Sequence, residues 1–259
     1  MKIFDTHAHY DDDAFDEDRM QLLDESFGAG KTVSNIANIG CDIESSRESV
    51  CLAERYDYMY AVVGVIPHHV GDMTEADLEE LRRLAKESKK VVAIGEIGLD
   101  YHYDEPSKEK QFKWFSAQME LAKELGLPIV IHSRDAAQDT YELMKKAHAE
   151  EIGGVVHCYS YSEEMSREFL KMGFYFGIGG VVTFKNSKKL KRAVESIPIS
   201  NIVLETDSPY LTPSPYRGER NNSGYLPYVV SEIARLKGMT EEEVAEITFE
   251  NACRLYRLS

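Results

Sequence analysis

The sequence predicts an α/β fold in which eight parallel strands, each followed by a helix, close into one barrel. Short apolar, β-branched runs alternate with longer segments of helical period along the chain, as expected for a parallel sheet. The strand segments are almost continuously apolar, which is typical of strands covered by helices outside and packed against side chains inside. The length of 259 residues also suits a single barrel.

Each strand is predicted from a short apolar run, and each helix from apolar residues that recur every three or four positions. The eight predicted strands are residues 2–6, 32–37, 59–65, 91–95, 129–131, 154–156, 174–178 and 201–204. The helices between them are residues 17–29, 44–55, 75–88, 108–125, 136–149, 163–172 and 187–196. Two further helices, residues 226–237 and 241–256, follow the eighth strand.

An open doubly wound sheet is the alternative architecture. It would place a Gly-rich phosphate loop after an early strand, and neither G-x-G-x-x-G nor G-x-x-x-x-G-K-[ST] occurs in the chain. Residues 1–259 contain no internal repeat, low-complexity tract or linker rich in Gly, Ser or Pro. We therefore predict one TIM-type (β/α)8 barrel domain over residues 1–259.

The charge balance restricts the possible partners. The chain carries 45 acidic and 30 basic residues, a net charge of −15, so it repels a polyanion overall and would need bound cations or a local basic patch to act on nucleic acid.

No stretch approaches the ~18 to 20 uncharged apolar residues of a membrane span, and the start MKIFDTHAHYDDD does not resemble a signal peptide. We expect a cytoplasmic protein with no membrane contact. Its four cysteines form no C-x-x-C pair and are expected to be free, mostly buried thiols.

Six side chains that can bind a metal lie where predicted strands end. They are His7 and His9 after the first strand, Glu96 after the fourth, His132 after the fifth, His157 after the sixth and Asp207 after the eighth. His7 and His9 are two residues apart, so in an extended chain they share a face. The carboxyl ends of barrel strands meet at one rim, where active sites are built, so we expect all six to converge.

Four histidines and two carboxylates exceed the ligands that one tetrahedral ion needs. The set therefore predicts two divalent ions, with Glu96 as the bridge because its strand lies between the two histidine groups. Histidine-rich sites suit zinc, manganese or iron, whereas magnesium prefers oxygen ligands. The residues alone thus favour manganese or zinc.

Several stretches resemble one known family over nearly the whole chain. They are FDTHAHYDD, IGEIGLDYHYD, LPIVIHSRDA, VVHCYS, FGIGGVVTFKNSKKL, ETDSPYLTP, RGERN and NACRLYRL, and they resemble the TatD family of metal-dependent deoxyribonucleases. The resemblance implies a TIM-type barrel, a divalent metal with magnesium as a further possibility, and hydrolysis of DNA phosphodiesters, often from single-stranded 3′ ends. It implies the same six metal ligands. Ile66, Tyr161 and Ser223 depart from the family pattern, and the first two are expected to line the mouth of the site.

The mechanistic hypothesis is that a water activated by the metals attacks phosphorus while Asp207 accepts its proton, with Glu96 as the second catalytic group. Substrate phosphates need donors, and the candidates are His68, Arg134 and Lys185. Lys185 begins a basic run that would otherwise be a solvated helix face, and Arg134 would otherwise pair with Asp100 or Asp135. The loop after the eighth strand, with Arg217 and Arg220, is expected to form one wall of the pocket.

Two other functions remain open at this stage. The same metals on the same barrel would also suit a small ester, amide or phosphotriester, or a D-aminoacyl-tRNA as a deacylase. A non-catalytic metal-binding protein is the other alternative, although such a descendant would be expected to have lost ligands. No obligate protein partner is evident from the sequence, and the oligomeric state and the direction of DNA cleavage are not predicted by composition or spacing.

Overall fold

The computed structural model describes residues 1–258, in which eight parallel strands form one sheet in chain order. The strands are β1 Ile3–Ala8, β2 Val33–Ile39, β3 Met59–Val63, β4 Val91–Asp100, β5 Ile129–Arg134, β6 Gly154–Val156, β7 Tyr175–Ile178 and β8 Ile202–Leu204. The helices are α1 Arg19–Ser26, α2 Ile43–Arg55, α3 Glu75–Glu87, α4 Lys108–Leu125, α5 Ala137–Lys146, α6 Glu163–Lys171, α7 Lys188–Ser196, α8 Leu226–Lys237 and α9 Glu241–Leu255. This confirms the predicted TIM-type barrel.

The first and last strands meet and bring the barrel close to closure. An isolated parallel bridge joins Ala8 to Ser208, and the His9 amide donates to the Ser208 carbonyl at 2.8 Å. The amide of Asp207 donates to the carbonyl of His7 at 2.9 Å. The residues that follow β8 are therefore held beside the end of β1 at this rim.

Apolar burial fixes the helices around the strands. The main core contains buried side chains of every strand from β1 to β8 and of most helices. A second cluster joins strand residues such as Phe4, Val62 and Val130 to Leu255 and Tyr256 at the end of α9. The hydroxyl of Tyr256 also donates to the carbonyl of Thr6 at 2.7 Å, which holds the chain end against β1.

β4 and β5 extend furthest beyond their predicted ends. β4 was expected to end at Gly95 and β5 at Ile131, but the two strands continue to pair as far as Asp100 and Arg134. A register shift after Ile94 accommodates the extension. The apolar run of β4 is interrupted by Glu96, although Ile97 and Leu99 beyond it are buried in the core. The last three residues of β5, His132 to Arg134, are polar, and pairing with β4 carries that strand further.

Gly98 lies where β4 approaches β5 closely, and a Cβ atom there would lie 1.8 Å from the carbonyl oxygen of His132. Its φ of +153° is also strained for a residue with a side chain. We expect Gly98→Ala to lower the free energy of unfolding by about 3 kcal/mol or more, measured by urea denaturation. Gly71→Ala is the matched control, since its Cβ would meet only Pro106, at 3.6 Å. Equal denaturation midpoints for the two variants would contradict this account.

Two predictions from composition have different outcomes. All four cysteines are free, as predicted. The expectation that they are mostly buried is wrong, because Cys51 is exposed and the other three are partly exposed. Cys51 lies on the outer helix α2, where its side chain does not face the core.

Among residues 1–258 no helix has the length and apolar character of a membrane span.

Candidate metal centre

The six predicted metal ligands lie together at the carboxyl ends of the strands. His7, Glu96 and His132 belong to β1, β4 and β5, whereas His9, His157 and Asp207 come just after β1, β6 and β8. His7, His9, Glu96 and His157 are buried, and the side chains of His132 and Asp207 are 19% exposed. The set therefore forms the floor of a site rather than a patch on the surface.

Glu96 lies between two groups of ligand atoms. Its Oε2 is 3.3 Å from His7 Nε2. Its Oε1 is 2.5 Å from His132 Nδ1 and 3.3 Å from His157 Nε2. One carboxylate thus offers an oxygen to each side, which is the arrangement that a bridging ligand requires.

Asp207 completes the first group with His7 and His9. Its Oδ1 lies 3.3 Å from His9 Nε2 and 3.7 Å from His7 Nε2, and the two Nε2 atoms are 3.2 Å apart. The backbone of Asp207 has a φ of 56°, a left-handed conformation that is uncommon outside glycine and costs of order 1 kcal/mol or more. Such strain persists where the surroundings fix it, and here it directs the carboxylate at the two histidines.

The outer nitrogens of two histidines are held by oxygen acceptors. His9 Nδ1 lies 3.0 Å from the carbonyl of Ile39, which can only accept, so this nitrogen carries the proton. His132 Nε2 lies 2.9 Å from Oδ2 of Asp100 and is likewise a donor. In the neutral rings the lone pairs therefore sit on the inner nitrogens, which face Asp207 and Glu96. This is the pattern of metal-binding histidines, and the donor set fits divalent cations.

Buried carboxylates support the histidines from outside. Glu205 Oε1 accepts from the amide of Cys158 at 2.6 Å and lies 3.5 Å from His157 Nδ1. From the sequence, Asp100 is considered only as a partner of Arg134. The missed signal is that Glu96 and Asp100 are four residues apart, an even spacing that places both carboxylates on one face of a strand.

The charges of the cluster compensate one another. Burial alone would raise the pKa of Glu96, but the positive charges of His157 and His132 hold that pKa well below its usual value. Burial lowers the pKa of His132, yet Glu96 and Asp100 outweigh it and raise that pKa to about 9. The pKa values of His9 and His157 are likewise raised, whereas burial lowers that of His7, so protons on His9, His132 and His157 offset the charge of the carboxylates. A divalent cation has to displace these protons, so its affinity falls as the pH falls.

A cavity of about 610 Å³, here called the central cavity, opens over the cluster. Its wall includes His68 and Arg134, two of the predicted substrate contacts. His68 Nε2 lies 3.0 Å from Asp100 Oδ2. The Arg134 guanidinium lies 5.9 Å from the centre of the Tyr103 ring, and no carboxylate among residues 1–258 lies within 4.0 Å of it. Arg134 therefore faces the cavity unpaired.

The remaining sequence candidates lie in different places. Lys185 is exposed and does not line the central cavity, so its role stays a prediction. Ile66 lines the central cavity, as expected. The expectation for Tyr161 is wrong, because its hydroxyl bonds to Ser133 Oγ at 2.9 Å and its ring packs on the core instead. Ser223 Oγ donates to Asp5 Oδ2 at 2.6 Å and so ties a later loop to β1.

Comparisons with known proteins agree with this geometry. Residues 4–257 match the family model described as TatD related DNase. The metal-dependent hydrolase YabD of Bacillus subtilis strain 168 is 45% identical over 257 residues, covering 99% of this chain and 100% of that protein. A protein of Rahnella sp. strain Y9602 named 3'-5' ssDNA/RNA exonuclease TatD is 33% identical over 266 residues, 99% of each chain. The crystal structure of YjjV, a TatD homolog from Escherichia coli K12, superimposes with a TM-score of 0.92 at 29% identity, covering 99% of this chain and 98% of that one. The chain thus belongs to the TatD family of metal-dependent hydrolases.

Proposed function

We propose that this hydrolase is a deoxyribonuclease that uses two divalent ions to remove nucleotides from 3′ ends of single-stranded DNA. One ion would be held by His7, His9 and Asp207, the other by His132 and His157, and both by Glu96. The observation that carries the proposal is the position of the Glu96 carboxylate, with Oε2 toward His7 and Oε1 toward His132 and His157. A closed structural site would leave no cavity above its ligands, whereas this cluster opens into the central cavity.

When bound, two such ions supply a water of lowered pKa and stabilise charge on the attacking and leaving oxygens of a phosphodiester. Asp207 would accept the proton of the attacking water, since its carboxylate reaches the cavity. The neighbouring histidines outweigh its burial and lower its pKa, which keeps the carboxylate ionised and free to accept a proton. An oxygen–phosphorus bond forms and the bond from phosphorus to the 3′-oxygen breaks. The products are a mononucleotide with a 5′-phosphate and a strand shortened by one nucleotide.

The walls of the central cavity support a single-stranded nucleic acid as substrate. Arg134 offers a guanidinium that no carboxylate in the described part of the chain pairs with, which suits bidentate binding of a phosphate. Tyr103 and Tyr210 are each more than half exposed at the cavity, where a ring face can stack an unpaired base. The name of the Rahnella relative supports the same substrate class. Bound ions offset the net charge of −15 at the point where a phosphate approaches.

Metal binding is expected to stabilise the fold. At a free Mn²⁺ concentration 100 times Kd, the expected gain is about 2.7 kcal/mol, which for a chain of this size raises Tm by about 5–10 °C. Differential scanning calorimetry of chelator-treated protein with and without Mn²⁺ or Zn²⁺ measures the shift. Glu96→Gln should reduce it strongly, whereas Glu120→Gln, an exposed glutamate on α4, should leave it unchanged. Equal shifts for the two variants would contradict the assignment of Glu96 as a ligand.

The test of the function is nucleotide release from single-stranded DNA labelled at either end. The protein is assayed after chelation and then with added Mg²⁺, Mn²⁺ or Zn²⁺. We expect metal-dependent shortening from the 3′ end in the wild type and in Glu120→Gln, and none in Glu96→Gln. Absence of release with every ion, together with hydrolysis of an ester, an amide or a D-aminoacyl-tRNA, would overturn the nuclease proposal in favour of that substrate.

A further inference from the structure

A separate cavity of about 370 Å³, here called the arginine cavity, lies in the loop after β8 and is lined by Phe184, Tyr210, Leu211, Arg217 and Glu219 among others. Tyr210 and Leu211 also line a cavity of about 380 Å³ that contains His132, His157 and Asp207. The same two residues therefore form a ridge, with the metal ligands on one side and Arg217 on the other.

The Arg217 side chain is fixed in this cavity by stacking on an aromatic ring. Its guanidinium carbon lies 4.0 Å from the centre of the Phe184 ring, and within residues 1–258 no carboxylate comes within 4.0 Å of its nitrogens. Arg220, three residues later, is by contrast fully engaged with Asp18, at 2.6 Å. The nearby carboxylate of Glu219 accepts from a tyrosine hydroxyl. In a chain with net charge −15, an arginine stacked in place and left unpaired is suited to an anion from outside.

The ridge is rigid and apolar. Tyr210 is 55% and Leu211 37% exposed, and Leu211 has a φ of 56°, which is strained for leucine. The Tyr210 hydroxyl donates to Asp12 at 2.7 Å, and its carbonyl accepts from Asn221 at 2.6 Å. Behind the ridge, a Cβ at Gly180 would lie 2.1 Å from the Leu211 carbonyl, so only glycine allows this approach. An exposed apolar residue that is held in a strained conformation is typical of a functional surface.

We propose that the arginine cavity binds a second phosphate of the substrate strand, with Arg217 as its ligand and the Tyr210–Leu211 ridge as the point where the strand crosses. This proposal rests on the proposed nuclease function, because it requires a DNA strand as the substrate. The scissile phosphate lies at the metal ligands, and a phosphate further along the same strand reaches the guanidinium. The planar guanidinium on Phe184 is preorganised for two parallel hydrogen bonds to phosphate oxygens. A substrate with a single phosphodiester gains nothing from this site.

The test compares Arg217→Ala with the wild type on thymidine oligonucleotides of two to six nucleotides. Arg192→Ala is the matched control, since Arg192 is another exposed arginine, on α7 and outside both cavities. For the dinucleotide, kcat/KM should be equal in all three proteins. For longer strands it should fall about tenfold in Arg217→Ala only, as expected for one charge-assisted contact. The plot of log KM against log salt should lose a slope of about 0.7 for the one phosphate contact.

Substrate chemistry provides the second arm. Linkages are replaced one at a time by an uncharged methylphosphonate. Replacement at a single position should lower kcat/KM of the wild type about tenfold, and replacement at that position should leave kcat/KM of Arg217→Ala unchanged. Equal losses of kcat/KM in both proteins at every position would overturn this proposal alone. So would a lower kcat/KM of Arg217→Ala on the dinucleotide as well as on longer strands. If the wild type releases no nucleotide from any strand, the nuclease proposal fails and this one fails with it.

Discussion

Glu96→Gln is expected to lower kcat/KM for single-stranded DNA by about 10⁴-fold, equivalent to ~5.5 kcal/mol of transition-state stabilisation. The amide keeps the size of the side chain but removes the negative charge and one of the two acceptor oxygens. Because Oε1 and Oε2 face different ligand groups, the variant would lose the bridge and not merely one contact. Steady-state rates at saturating Mn²⁺ measure the loss.

The control for Glu96→Gln must separate chemistry from folding. Glu96 is buried, so its replacement could disturb the fold. The far-UV circular dichroism and the urea midpoint of metal-free Glu96→Gln should therefore be compared with those of the wild type and of Glu120→Gln. A folded Glu96→Gln that keeps more than a tenth of the wild-type rate would contradict the bridging role. In that case the two ligand groups would act independently.

Asp207→Asn is expected to lower kcat by about 10³-fold with a KM within a few fold of the wild type, which is the signature of a lost proton acceptor. Asparagine retains an oxygen that can face His7 and His9, but it cannot take a proton from water. The loss should therefore persist when Mn²⁺ is raised well above the concentration that saturates the wild type. Single-turnover rates at several Mn²⁺ concentrations measure whether the loss persists.

Asp57→Asn, an exposed aspartate outside the site, is the control for Asp207→Asn. Because Asp207 holds a strained backbone conformation, asparagine, which tolerates that conformation well, is also the substitution least disruptive to the fold. If excess Mn²⁺ restores the full rate, Asp207 acts as a ligand only and the proton is accepted elsewhere.

The barrel was predictable because its signal is local and repeated. Each strand is a short apolar run, and each intervening helix buries one face, so their alternation identifies a parallel sheet without tertiary information. The ends of β4 and β5 were not predictable in the same way. Residues from Glu96 to Asp100 continue the strand through pairing with β5, and no apolar run marks a pairing partner that lies more than thirty residues away.

The convergence of the six candidate metal ligands was predictable from their positions at strand ends, but the groups around them were only partly so. Asp100 was missed because β4 was taken to end before it. Lys185 was predicted from nearness in sequence to β7, yet a short turn over Gly180–Thr183 separates it from the strand and its exposed side chain does not line the central cavity. Arg217 was placed in a pocket wall, but its stacking on Phe184 depends on a contact between two distant loops. Such contacts are set by tertiary packing and leave no pattern in the sequence.

The most direct test of the central claim is anomalous scattering from crystals of the protein soaked in Mn²⁺. We predict two anomalous peaks, one beside His7, His9 and Asp207 and the other beside His132 and His157, with the Glu96 carboxylate between them. In crystals of Glu96→Gln at least one of the peaks should disappear. A wild-type map with no peak at these side chains, or with one peak that Glu96 does not contact, would contradict the two-ion site on which the proposed chemistry rests.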